Sequence, residues 1–74
     1  MTEEEALELV KKLLKAADEE AVMRLVSASL PAVDAVFFRV AAAAASQLER
    51  DGRAGAGQAL RSLTDRMLRM KTLI

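Results

Sequence analysis

Hydrophobic residues recur at intervals of three and four along most of this chain, which is the period of a helix that buries one face. The longest such stretch lies between Pro31 and Gly52, and these residue types favour the first turn and the end of a helix, respectively. The pattern predicts one long helix over about residues 32–51 as the central element. Its periodic apolar positions are Val33, Val36, Phe37, Val40, Ala41, Ala44 and Leu48.

Two shorter helices are predicted before the central one. Thr2 and Glu5 have the spacing of a capping box, and Asp18 is a typical N-cap residue that is followed by an acidic first turn. We expect helices over about residues 3–16 and about residues 19–29. The apolar stripe of the first helix is broad enough to contact two neighbours. A membrane-surface helix is the less favoured interpretation, because anionic headgroups would repel its acidic first turn.

A fourth helix is predicted over about residues 56–72, where apolar positions alternate steps of three and four as in a coiled-coil seam. Phe37 and Phe38 point about 100° apart on the central helix, so both are buried only if that helix has neighbours on two sides. We expect Phe37 in the core and Phe38 at a contact surface. The candidate interface consists of Phe38, Leu60, Leu63, Met67, Met70 and Ile74.

These elements predict an all-α fold. A single helical domain over residues 1–74 is expected, as a small four-helix up-and-down bundle or a pair of helical hairpins. A chain this short buries only about 60–65 % of its unfolded surface. Because small domains often gain the missing burial by association, we expect oligomerisation to complete the fold, with a homodimer as the simplest case.

Small residues mark two further segments. Five consecutive alanines, Ala41 to Ala45, make the central helix smooth, and we favour close packing against the first or fourth helix over a docking groove for a partner helix. The segment from Asp51 to Gly57 is glycine-rich, but it lacks the Gly-Lys-Ser/Thr of a phosphate loop and has no preceding strand. We expect a turn in which Gly55 or Gly57 allows close approach to the central helix.

The side chains that most active sites need are missing or isolated. The chain has no cysteine and no histidine, which removes the usual zinc ligands and the base that would activate a serine. We therefore expect no enzyme activity, no cofactor, no metal and no small-molecule substrate. The longest uncharged runs have nine residues, against about 20 for a membrane span, so we expect a cytoplasmic protein without membrane contact.

Charge is balanced overall but not along the chain. Eleven basic and eleven acidic residues cancel, yet the segment from Arg53 onward has five basic residues and one acidic residue, a net charge of plus four. Helix-dipole preference and contact with the acidic starts of the first two helices explain this asymmetry best. Nucleic-acid binding through the basic helix is a distant alternative, because the chain has no Tyr, Trp or His to stack on bases.

Part of the sequence resembles a known type of helix pair. Small residues stand where two antiparallel helices would cross, a glycine marks the turn between them, and apolar residues accompany them, in the order Ala45, Leu48, Gly52, Gly57, Leu60 and Leu63. Over about residues 41–70 this order is similar to the helix pair of tetratricopeptide-type repeat proteins. The resemblance implies a helical scaffold that binds another protein, and it implies no catalytic residues.

The predicted function is protein–protein interaction, as a non-catalytic helical module or adaptor. The alternative is a self-assembling structural homo-oligomer, natural or engineered, since residues 3–17 have a more idealised Glu/Lys/Leu/Ala composition than the rest. Nucleic-acid binding ranks third. The expected partners are another protein, a second copy of this chain, or both.

Overall fold

The computed structural model describes residues 1–72, with side chains through residue 71, and within them the chain is helical without strands. The predicted all-α class with four helices is confirmed. The finer expectations, an up-and-down bundle and its completion by oligomerisation, stay predictions. The helices are α1 (Glu3–Lys15), α2 (Glu19–Ser29), α3 (Ala35–Arg50) and α4 (Ala54–Thr72), with a short 3-10 turn (Leu30–Ala32) between α2 and α3.

Helix α3 lies at the centre of the packing. It contacts both α1 and α4, and its contact with α4 is the most extensive in the fold. Phe37 is fully buried, as predicted, while Phe38 is half-buried and packs edge-on against Phe37 with the ring centroids 5.6 Å apart. The core draws on every helix and comprises Ala6, Leu9, Val10, Leu13, Val26, Val33, Phe37, Ala41, Ala45, Leu60 and Met67.

The first two helices begin where the sequence predicts, each at a side-chain cap. The hydroxyl of Thr2 accepts a hydrogen bond from the Glu5 N–H at 3.1 Å, and the Glu5 carboxylate accepts one from the Thr2 N–H at 2.9 Å. This reciprocal pair is the predicted capping box, and its hydrogen bonds hold the pKa of Glu5 below its ordinary value. At α2 the Asp18 carboxylate accepts from the Ala21 N–H at 2.8 Å.

Helix α3 begins three residues later than predicted. Asp34 is its N-cap, and its carboxylate accepts hydrogen bonds from the N–H groups of Val36 and Phe37 at 3.1 and 3.3 Å. Pro31 stands in the first turn of the 3-10 helix instead. The prediction from Pro31 was wrong because the Asp34 carboxylate offers the first N–H groups of a helix a partner, which proline does not.

The end of α3 agrees with the expectation for Gly52. Its φ angle is +81°, the left-handed conformation that favours glycine. The Arg53 N–H donates to the Leu48 carbonyl at 2.8 Å, and the Gly52 N–H donates to the Glu49 carbonyl at 3.2 Å. This is a Schellman motif, which closes α3 and lets α4 begin at Ala54, two residues earlier than predicted.

Candidate interaction surface

Two large apolar side chains on one face of α1 are exposed. Leu7 exposes 42 % of its surface and Leu14 exposes 38 %. The two leucines are seven residues apart, so they lie on one stripe of the helix, about 10.5 Å apart along its axis. The sequence pattern places both leucines in the broad apolar stripe of α1, but it does not distinguish them from the buried members of that stripe.

A groove runs between this stripe and α3. Its volume is about 420 Å³ and its lining is almost entirely apolar. Val40 and Leu48 of α3 are half-buried in it, and the small side chains of Ala43 and Ala44 leave space between them. We call this surface the α1/α3 groove, and it is lined by Leu7, Val10, Lys11, Leu14, Val40, Ala43, Ala44, Gln47 and Leu48.

The alanine run of α3 contributes side chains both to the core and to the α1/α3 groove. Ala41 and Ala45 are buried in the core, which agrees with the favoured prediction of close packing. Ala43 is exposed and Ala44 is half-buried, and both line the α1/α3 groove. One run of alanines therefore supplies a packed face and an open face.

Helices α3 and α4 approach each other closely at Gly57. A Cβ atom added at Gly57 would stand 2.8 Å from the Ala45 carbonyl oxygen and 2.9 Å from the Glu49 Cγ, so no larger residue fits without movement. The expectation of close approach is confirmed for Gly57. At Gly55 an added Cβ would meet nothing within 4 Å, so that glycine is not required by packing.

A second, more polar hollow lies on the other side of α3, between it and α4. It is lined in part by Phe38, Leu68, Arg61 and Asp65. Arg61 crosses between the two helices near it, donating from Nε to the Glu49 carboxylate at 2.8 Å. Two charged side chains, Arg61 and Asp65, therefore line this hollow, compared with Lys11 in the lining of the α1/α3 groove.

The structure separates the six residues of the candidate interface. Leu60 and Met67 are buried in the core of the chain itself, since the seam of α4 is its core-facing stripe. Leu63, Met70 and Phe38 are half-buried and pack against that core. Ile74 lies outside the described residues. Leu60 and Met67 are thus not surface residues, and a contact through the half-buried three stays a prediction.

Four charged residues follow the solvent side of the exposed leucine stripe. Successive residues of a helix are about 100° apart, which places Glu4, Glu8, Lys11 and Lys15 on one flank of Leu7 and Leu14. All four are exposed. Within residues 1–72, none of the ion pairs involves any of them. The acidic members lie in the first half of α1 and the basic members in the second half.

Most cations of α4 have partners within the chain. Lys71 donates to the backbone carbonyls of Leu30 and Val33, which ties the end of α4 to the connection between α2 and α3. The other contacts are ion pairs, namely Arg61–Glu49, Arg66–Glu19 and Arg69–Asp65. The pair Arg66–Glu19 is the expected contact with the acidic start of α2, whereas Arg61 pairs with a residue of α3 and Arg69 pairs within α4. The helix-dipole part of the explanation stays a prediction.

The start of the chain is joined to α3 by an ion pair. The Met1 ammonium donates to the Asp34 carboxylate at 2.7 Å, on the same side chain that caps α3. This hydrogen bond raises the pKa of the Met1 ammonium and lowers the pKa of Asp34. The pair therefore holds α1 and α3 together at one end.

The described residues show neither a cluster of metal ligands nor a buried polar side chain without a partner. Within residues 1–72 there is no group of three or more His, Cys, Asp or Glu side chains that could hold a metal ion. The same part of the chain has no polar residue in its buried core and no buried side-chain N or O atom without a hydrogen-bond partner. No helix in it is long and apolar enough to cross a membrane.

Comparisons with protein-family models, with curated proteins and with solved structures returned no match. The geometry of the chain itself therefore carries the functional argument.

Proposed function

We propose that this protein is a non-catalytic, cytoplasmic interaction module that binds a helical segment of protein in the α1/α3 groove. The observation that carries the proposal is the exposure of Leu7 and Leu14 along the edge of an apolar groove. Monomeric proteins rarely expose contiguous apolar patches larger than about a few hundred Å², and patches above that size mark interaction sites.

The spacing of the exposed leucines suits a helix as the occupant of the groove. Leu7 and Leu14 repeat at the seven-residue spacing with which an amphipathic helix presents its anchor residues, so a helix lying along α1 would meet both. Lys11 and Gln47 stand in the lining as polar groups of the rim, on α1 and α3 respectively. An apolar centre with a polar rim is the usual composition of a protein–protein interface.

The resemblance of residues 41–70 to the helix pair of tetratricopeptide-type repeat proteins points to the same class of function, because those scaffolds bind proteins. It adds support to the proposal without identifying the partner. Enzyme activity and nucleic-acid binding have no specific observation in their favour: the side chains do not converge on a site, and most cations of α4 are paired.

Site-specific photo-cross-linking in the cells that produce the protein tests the proposal. A benzophenone amino acid replaces Ala43, which is exposed in the groove, and a matched variant carries it at Ala28, which is exposed on α2 outside the groove. We expect light-dependent adducts with a protein from position 43 and none from position 28. If the two positions give equal yields of adduct, or if neither gives an adduct, the proposal is contradicted.

A second variant links the adduct to the apolar stripe. Leu14→Glu places a charge beside the groove without emptying the core, because Leu14 is already exposed in part. In this background the adduct from position 43 should disappear while the helical circular dichroism persists. An adduct that survives Leu14→Glu would show that the probe reports another surface.

A further inference from the structure

We infer that the occupant of the α1/α3 groove is a second copy of this chain, with the two α1 helices antiparallel about a two-fold axis. This inference rests on the proposed function and names its partner. Its basis is the arrangement of charge on α1 beside the exposed leucines.

The charged flank of α1 is complementary to itself in one direction only. Glu4 and Glu8 occupy the first half of the flank, and Lys11 and Lys15 occupy the second half. Within residues 1–72 none of these four is in an ion pair. An antiparallel arrangement sets each acidic half against the basic half of the other copy, whereas a parallel arrangement sets like charges together. Complementary charges steer and orient association, and like charges opposite one another oppose it.

The apolar residues fix the register. With the two-fold axis beside Lys11, Leu7 of each copy lies opposite Leu14 of the other copy. In that register Glu4 lies within one helical turn of Lys15 of the second copy, and Glu8 lies within one turn of Lys11 of the second copy, since two residues advance a helix by about 3 Å. In this one register the exposed leucines of the two copies lie opposite each other, and each of the four charges lies near an opposite charge.

The groove has room for this contact. Ala43 is exposed on its α3 wall and has a short side chain, so a second helix can come close to α3 there. Two-fold dimers are the commonest closed assemblies, and they suit a surface that is complementary to itself. For a chain of 74 residues the contact also covers apolar surface that a small core leaves open.

Single-cysteine variants test the inference on the full chain, which has no cysteine of its own. Lys11→Cys places a thiol beside the proposed axis. Lys12→Cys is the matched control, because it removes the same charge one residue along, on a face turned about 100° away. Glu4→Cys tests direction, because in the antiparallel pair its two copies are about 20 Å apart along the axis.

With oxidised glutathione as the oxidant, we expect Lys11→Cys to form an interchain disulfide at least about tenfold faster than either other variant, since proximity raises the effective thiol concentration to the millimolar range. If Lys11→Cys reacts no faster than Lys12→Cys, the inference is wrong. If Glu4→Cys reacts as fast as Lys11→Cys, the helices are not antiparallel in this register, and the inference is also wrong. If either failure is observed and position 43 still forms an adduct with a different protein, the inference is wrong but the proposed function is supported. If position 43 forms no adduct, the proposed function is wrong as well.

Discussion

The carbonyl oxygen of Ala45 lies 2.8 Å from the place where a Cβ atom on Gly57 would stand. This relationship fixes how closely α3 and α4 approach. Gly57→Ala gains helix propensity of about 1 kcal/mol, but it forces a backbone oxygen to move, and over-packing of this kind costs about 1–3 kcal/mol. We expect no gain in stability and a loss of up to about 2 kcal/mol in denaturant titration.

Gly55→Ala is the matched control for that substitution. It lies in the same helix, and an added Cβ there meets nothing within 4 Å. Only the propensity gain remains, so this variant should be more stable than the unmodified chain by about 0.5–1 kcal/mol. Equal effects of the two substitutions would mean that α3 and α4 are not in close contact at Gly57.

Phe37→Ala should be among the most destabilising substitutions in the chain. Phe37 is fully buried in the first turn of α3, and replacing a buried phenylalanine by alanine costs about 3–5 kcal/mol. Phe38→Ala should cost less, because Phe38 is only half-buried and its removal takes less apolar surface out of the core. Thermal melting of both variants checks the order, and a greater loss at Phe38 would contradict the described face of α3.

Several of these features follow from local sequence rules, and others do not. The Thr2 capping box and the Gly52 helix end are short-range effects, so a few residues suffice to predict them. The start of α3 was misplaced because two signals compete within four residues, and the side-chain acceptor of Asp34 wins over the fixed φ angle of Pro31.

The candidate interface shows that the sequence pattern does not predict which chain covers an apolar stripe. Periodicity identifies the apolar stripe of α4, but it does not say whether the same chain or another chain covers that stripe. The structure buries Leu60 and Met67 within one chain. It leaves Leu7 and Leu14 exposed, because the apolar stripe of α1 is broader than the surface that the other helices cover. Which part of a broad stripe is covered depends on how helices distant in sequence pack.

The pair formed by Met1 and Asp34 predicts a pH window for stability. The ammonium has a pKa raised above 8.0. Its contribution to the free energy of unfolding is therefore complete below pH 8.0 and is lost as the pH rises through the raised pKa. The Asp34 carboxyl has a pKa lowered below 3.8, so its contribution is complete above 3.8 and is lost as the pH falls through the lowered value. The pair is therefore fully effective between these limits.

Asp34→Asn tests this window in protein that has a free amine at Met1. Asparagine keeps the N-cap acceptor and removes the charge. The melting temperature of the unmodified chain should fall on going from neutral to alkaline pH, and Asp34→Asn should remove part of that fall. Asp18→Asn, at the N-cap of α2, is the control and should keep the original pH profile. Identical profiles for all three proteins would show that the ion pair does not stabilise the fold.

Charge reversal tests the electrostatic basis of self-association. Glu4→Lys with Glu8→Lys makes the flank of α1 wholly basic, and Lys11→Glu with Lys15→Glu makes it wholly acidic. Each reversed protein should associate with itself at least about tenfold more weakly, because four exposed pairs worth about 0.2–1 kcal/mol each become repulsive. An equimolar mixture of the two should recover association.

The recovery should weaken as salt rises, since ions screen exposed charges. The exposed pair Glu20 and Arg24 on α2 provides the control, because reversing both charges there leaves the α1 flank unchanged. If the mixture associates no better than either reversed protein alone, the proposed charge pairing is wrong.

The mass of the protein in solution tests most directly whether another chain covers Leu7 and Leu14. Sedimentation equilibrium at high micromolar concentration should give the mass of a dimer for the unmodified chain. The double variant Leu7→Glu with Leu14→Glu should give a monomer that keeps its helical circular dichroism, because both side chains lie at the surface. A monomeric, stably folded unmodified chain, or a double variant that stays dimeric, would contradict the account of self-association through this face.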